Sequence, residues 1–136
     1  MSIKEIVNNL KKARADYRDV IRAGVLVTAN ELRNDVIKSI QKQSSGKIIT
    51  AYKQGGSSYS RVVSKEGEAP NVDTGRLVQS IAVEMNTYNK AHVGTDVNYA
   101  PMLEFKLNRP FLRPALEKVR QSKSLEKNIT KASKAL

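Results

Sequence analysis

The sequence predicts an α+β domain in which a long N-terminal helix and a C-terminal helix pack on a small antiparallel sheet of about four strands. Three observations lead to this prediction. Apolar residues recur at helical spacing over residues 1–44, and short β-branched or aromatic segments alternate with turn residues over 47–105. Helical spacing then returns over 110–136. A length of 136 residues favours a single domain covering residues 1–136.

The first 44 residues predict one long helix. Ser2 and Glu5 have the spacing of a capping box, and the cluster of small residues at 44–46 supplies a stop. Gly24 could mark a bend within the helix. Residues 23–29 are apolar nearly all round, so we expect cover on more than one side, from the core or from a neighbouring subunit. The apolar stripe consists of Ile3, Ile6, Val7, Leu10, Tyr17, Val20, Ile21, Leu32, Val36, Ile37 and Ile40.

Four strands are predicted as two pairs of sequence neighbours. The first pair flanks the flexible turn 55–58, and the second pair flanks the turn 86–89. In the second pair, alternation places Ala91 and Val93 on one face and His92 on the other. The predicted strands cover residues 47–52, 59–64, 80–85 and 90–95.

Between the two pairs, Asp73-Thr74-Gly75 is expected to open a short helical turn, with Asp73 or Thr74 as its N-cap. The same tripeptide carries the catalytic carboxylate of aspartic proteases, in which two such groups share a proton. A homodimer could supply the second carboxylate. The preceding residues 68–71 do not form the apolar strand that such a site needs, however, and Arg76 stands where a small residue is required. The helix cap is therefore the favoured interpretation.

At the C-terminus, Pro110 suits the first turn of a final helix. Beyond Gln121 the apolar spacing thins, so this tail is expected to fray or to become ordered only on a partner. The apolar stripe of the helix consists of Phe111, Leu112, Ala115, Leu116 and Val119, and the thinner continuation consists of Leu125, Ile129 and Leu136.

Composition excludes several kinds of chemistry. The chain has no cysteine, which rules out disulfides and thiolate catalysis, and a single histidine offers no zinc set. No nucleophile–base pair is evident, so we predict no enzyme activity, no metal and no cofactor. No apolar run approaches the roughly 20 residues of a membrane span. Residues 1–5 lack the pattern of a signal peptide, and we expect a protein made and used in the cytoplasm or assembled there into something larger.

The net charge of +11 favours an acidic or nucleic-acid partner. The excess is spread along the chain, at +4 for residues 1–44, +3 for 45–116 and +4 for 117–136, which argues against a dedicated basic tail. A first strand pair that interleaves Tyr52, Lys53, Tyr59 and Arg61 offers a possible surface for the backbone of nucleic acid. A solvated basic surface remains the alternative.

Three blocks that fix backbone shape stand out within residues 67–116. They run over 67–81, 99–105 and 109–116, with Val93-Gly94-Thr95 between the first two. In this order and spacing they resemble the tailed-phage family typified by the gene-ten product of phage HK-ninety-seven, and they are similar to the minor tail protein Z group of lambda-like phages. The residues that carry the resemblance are Gly67, Pro70, Asp73, Thr74, Gly75, Leu77, Ser80, Ile81, Tyr99, Ala100, Glu104, Phe105, Pro110, Phe111, Arg113 and Pro114.

This resemblance implies a structural role in the virion, at the neck or upper tail end, in head–tail joining or tail completion. Its members are expected to form a ring, with six copies as the expected number, around the DNA channel. The implied neighbours are head-completion and tail-terminator or tail-tube proteins, with non-specific contact to phage DNA. The chain departs from the family where Lys106-Leu107-Asn108 replaces a longer loop that usually begins Gly-Thr. A basic, sequence-indifferent DNA-binding protein is the alternative function.

Overall fold

The structure, a computed structural model, describes residues 1–42, 45–70 and 75–135, with the backbone alone at 61 and 62. The α+β class predicted from the sequence is confirmed. In chain order the elements are α1 (Ile3–Gln41), β1 (Ile48–Tyr52), β2 (Ser58–Val62), α2 (Arg76–Ser80), β3 (Ala82–Thr87), β4 (Lys90–Gly94), a π-helical turn (Met102–Lys106), α3 (Arg113–Gln121) and α4 (Ser124–Ser133).

Helix α1 is the longest of the described elements. Its capping box forms as predicted: the Ser2 amide donates to the Glu5 carboxylate at 2.7 Å, and the Glu5 amide donates to the Ser2 hydroxyl at 3.2 Å. The helix ends at Gln41, with Lys42 extended, a few residues before the predicted bound at 44. Its buried positions begin only at Val20, so its first five turns lie outside the core, although Arg18 stacks on Tyr88.

The four strands pair as two separate hairpins. β1 pairs with β2 and β3 pairs with β4, both antiparallel, and among the described strands neither hairpin bonds to the other. The prediction of a single sheet of about four strands is therefore corrected to two sheets of two strands. At the first turn, Gly55 and Gly56 have φ values of +105° and +92°, which a side chain would disfavour.

The core lies where α1 meets α2, α3 and the segment after β4. Among the described side chains, none from the β1–β2 hairpin belongs to the cluster. The buried members are Val36, Ile40, Leu77, Ile81, Val97, Ala100, Phe111 and Ala115.

The C-terminal segment corrects two predictions. The final helix does not begin at Pro110 but at Arg113, with Pro114 in its first turn, and it breaks at Lys123, whose φ is +53°. The remainder forms α4, which lies against α1 of the same chain instead of fraying. Leu136, the last residue of the predicted stripe, lies outside the described residues.

α4 approaches α1 closely enough for their backbones to meet. A Cβ added to Gly24 would lie 2.9 Å from the Ile129 Cα, and the Asn128 side-chain amide donates to the Thr28 hydroxyl at 3.0 Å and to Glu31 at 3.2 Å. α4 therefore supplies the cover predicted for the apolar segment 23–29, although only on one side of it. Leu26 and Val27 stay exposed.

Candidate functional site

The sequence blocks that suggested a family meet in one place. Leu77 and Ile81 from the first block, Ala100 from the second and Phe111 from the third are all buried in the same core cluster. Pro70 is also buried. These motif residues therefore fix the shape of the domain, whereas Tyr99 and Phe105 remain exposed.

Glu104 ties the second block to the third. Its carboxylate accepts the backbone N–H groups of Phe111, Leu112 and Arg113 at 2.7, 3.2 and 2.9 Å. These amides lie at the start of α3, whose own N-cap residue, Leu112, has no side chain that can accept them. A carboxylate at this position satisfies free donors and favours the positive end of the helix dipole.

The bridge between the second block and the third begins with the π-helical turn. The Leu107 amide donates to the Met102 carbonyl at 2.9 Å, and Asn108 then takes φ +50°. The Asn108 carbonyl accepts the Gly67 amide at 2.7 Å, and the Arg109 amide donates to Leu103 at 2.8 Å. The short bridge thus connects the first block to the third through the main chain.

Glu68, near the start of the first block, is hydrogen-bonded to two segments that precede it in the chain. Its carboxylate accepts the hydroxyl and amide of Ser45 and the amide of Lys65. The hydrogen bond from the Ser45 hydroxyl, followed by that from the Lys65 amide, lowers the pKa of the Glu68 carboxyl. The ionised carboxylate therefore links the segment after α1 to the loop before the first block.

Helix α2 is joined to its surroundings by polar contacts at its C-terminal end. The Ser80 hydroxyl donates to the Leu77 carbonyl at 2.7 Å and lies 2.5 Å from the Thr95 hydroxyl, which in turn accepts the Val97 amide. Arg33 on α1 donates to the Ile81 carbonyl at 2.9 Å. Ser80 therefore links the end of α2 to the segment that follows β4.

Asp73 and Thr74, the predicted N-cap and the candidate protease residues, lie outside the described residues. The N-cap position of α2 is occupied by Gly75, with φ +77° and no side-chain cap bond. A left-handed backbone at this position favours glycine. The absence of catalytic function stays a prediction.

An apolar groove opens beside the second and third blocks, with a volume of about 500 Å³. Its floor includes the buried Phe111, and its rim includes Phe105, whose side chain is 71% exposed. Four charged side chains also line it, namely Glu104, Arg113, Glu117 and Arg120. The apolar groove is lined by Leu32, Val93, Gly94, Thr95, Ala100, Pro101, Glu104, Phe105, Phe111, Leu112, Arg113, Leu116, Glu117 and Arg120.

A second exposed apolar surface lies on the first 19 residues, which we name the arm. Ile3 is 82% exposed and Leu10 is 65% exposed, although both belong to the stripe that is buried further along α1. The exposed members recur at helical spacing, which places them on one side of the arm. This apolar stripe consists of Ile3, Ile6, Val7, Leu10 and Tyr17.

A basic groove of about 520 Å³ lies between the arm and the turn that joins β3 to β4. The Arg18 guanidinium stacks over the Tyr88 ring at 5.3 Å from its centroid. This surface was not predicted from the sequence, because the net charge of long segments does not show how the cations are spaced. The signal was present in the spacing, since Lys11, Arg14, Arg18 and Arg22 follow one another at three or four residues.

The other basic surface considered from the sequence lies on the β1–β2 hairpin. Lys53 Nζ is 5.7 Å from the centre of the Tyr59 ring, and Tyr52 is exposed. The side chain of Arg61 lies outside what the structure describes. The hairpin therefore brings Lys53 and Tyr59 together, and contact of this surface with nucleic acid stays a prediction.

Within the described ranges, no cluster of three or more acidic or histidine side chains could hold a metal ion. His92 lies in β4, exposed and opposite Glu84. None of the described helices is long and apolar enough to cross a membrane. Comparison of this chain with protein-family models, with curated proteins and with solved structures returns no match.

Proposed function

We propose that this protein is a structural subunit of a phage virion, in the neck or upper tail end, which acts by assembling into a ring. The single observation that carries the proposal is the arm, because it presents an apolar stripe that the described part of its own chain leaves uncovered. The partner surface would be the apolar groove of the next copy. The resemblance of the sequence blocks supplies the virion context, including head-completion and tail proteins as neighbours.

The arm cannot fill the groove of its own chain. Both surfaces involve α1, and Leu32 at the groove lies about 33 Å along the continuous helix from Leu10. Only the arm of another copy can reach the groove without breaking this helix. An amphipathic helix lying in an apolar groove is a common mode of protein recognition.

The two surfaces differ from each other, and this determines the kind of assembly. A contact in which one patch binds an unlike patch on the next subunit leaves every open chain of subunits with a free arm at one end and a free groove at the other. Such a contact propagates until rotation closes a ring. The geometry thus favours a ring over a simple dimer with two identical patches.

The β1–β2 hairpin adds support of the same kind. An isolated two-stranded hairpin is marginally stable in water, and this one exposes Ile48 and Tyr52 and stands apart from the core. A neighbouring subunit or ring would cover it. The domain therefore has a compact centre whose shape is fixed and two extensions suited to partners.

Light scattering after size exclusion, combined with electron microscopy, tests the proposal. The wild-type chain is expected to form annular particles of several copies. Ile6→Gln with Leu10→Gln should reduce them to monomers without changing the helical content, because both side chains are exposed. Asn8→Gln with Asn9→Gln, on the other sides of the arm, is the matched control and should assemble normally. A wild-type chain that stays monomeric up to high concentration and binds neither phage heads nor tails would refute the proposal.

A further inference from the structure

We infer that the basic groove on the arm binds the phosphate backbone of duplex DNA without regard to sequence. The groove carries four cations in one line, which we name the basic row: Lys11, Arg14, Arg18 and Arg22. This inference goes beyond assembly, because it assigns a ligand to the basic groove, whereas the proposed ring contact uses the apolar stripe.

The row is a continuous strip of positive charge. With 3.6 residues per turn, its members fall within a sector of about 80° and extend about 17 Å along the helix. Among the described residues, no carboxylate lies within ion-pair distance of any of the four. Asp19 borders the groove, whereas Glu5 and Asp16 lie on other sides of the arm.

The chemistry of the row fits phosphate. Three of the four cations are arginines, whose planar guanidinium can bind two phosphate oxygens at once. Stacking on Tyr88 holds one of them, Arg18, in place before any ligand arrives. The turn that carries Tyr88 also leads into the exposed Lys90. The groove thus has a cationic wall and an ordered guanidinium.

An acidic protein surface is the competing ligand, and the composition of the groove disfavours it. Protein interfaces have apolar or aromatic centres from which charged residues are depleted, whereas DNA interfaces are polar and strongly positive. Apart from Tyr88 and Ala15, every side chain that lines this groove is charged. The apolar stripe occupies the adjoining sector of the arm and meets the basic row at Arg14.

The test is a salt titration of binding to a labelled duplex of mixed sequence, followed by fluorescence anisotropy. Arg14→Gln with Arg18→Gln should lower the slope of log affinity against log salt by about 1.8, since each lost phosphate contact removes about 0.9. Lys38→Gln with Lys42→Gln makes the same change in net charge about 36 Å away along α1, and should leave the slope unchanged. Circular dichroism confirms that each variant is folded.

Three outcomes would overturn the inference. The wild-type chain could fail to bind the duplex at low salt, or the two double variants could lose slope equally, which would mean that net charge alone drives binding. Polyglutamate could also displace the duplex at equal charge concentration from the wild-type chain but not from the Arg14→Gln, Arg18→Gln variant. That result would favour an acidic protein surface as the ligand of the basic row. A chain that assembles but ignores DNA refutes this inference alone, whereas a monomer that binds DNA through the row refutes only the ring.

Discussion

Glu104 stabilises a helix to which it does not belong. Its carboxylate satisfies three amides seven to nine residues further along the chain. The sequence marked Glu104 as a motif residue but did not reveal this role, because local capping signals involve residues within the first turn. The short bridge that brings Glu104 to the start of α3 depends on the positive φ of Asn108. The residue there is not glycine, so the sequence did not mark the position as left-handed.

Removing the carboxylate tests this role. Glu104→Ala leaves three donors at the start of α3 to water and should destabilise the chain by about 1–2 kcal/mol. That loss corresponds to a fall in Tm of roughly 3–8 °C for a domain of this size. Glu104→Gln keeps one acceptor oxygen, so its Tm should lie between those of the wild-type chain and Glu104→Ala. Glu117→Ala, which removes an exposed carboxylate paired with Arg120 at 3.3 Å, is the control and should change Tm little. Equal Tm values for Glu104→Ala and the control would contradict the cap.

At the scale of elements, the sequence predicts the helices and strands that depend on interactions between residues close in the chain. Helix α1 and its capping box follow from spacing and from Ser2 and Glu5, and all four strands lie within a few residues of their predicted positions. The sheet arrangement could not be predicted in this way, because pairing between hairpins depends on long-range packing. The break at Lys123 was equally hidden, since lysine has no preference for the left-handed conformation found there.

The contact between α1 and α4 makes Gly24 an exception among helical glycines. Alanine in place of glycine inside a helix ordinarily stabilises it by about 0.5–1 kcal/mol. Here the added Cβ would lie 2.9 Å from the Ile129 Cα, so the backbone of α4 would have to move. Gly24→Ala should therefore lower Tm, with a net cost of about 1–2 kcal/mol.

A double-mutant cycle with Asn128→Ala separates this clash from other effects. Asn128 anchors α4 through Thr28 and Glu31, and its loss loosens the same contact. The double variant should then be destabilised by less than the sum of the two single variants, because both substitutions act on the docking of α4. A rise in Tm for Gly24→Ala alone would mean that α4 does not press on α1 in solution.

At the scale of the whole molecule, α1 has two different halves. From Val20 onward it is the element against which the core, α3 and α4 pack, and before Val20 it carries an apolar stripe and three of the four cations of the basic row. In a ring, arms seated in neighbouring grooves would hold their basic rows at similar positions in every subunit. One helix could thus join the subunits and contact DNA.

Mixing two defective chains tests whether the arm binds the groove. Phe105→Gln removes an exposed aromatic from the groove rim, and Ile6→Gln with Leu10→Gln removes the apolar stripe, so each chain should be monomeric alone. Each retains one intact surface, an arm in the first and a groove in the second. If the arm binds the groove, an equimolar mixture should form one-to-one heterodimers in light scattering and no larger species, because the remaining surfaces are both defective. If arms pair only with arms, Phe105→Gln should assemble by itself and the mixture should gain nothing.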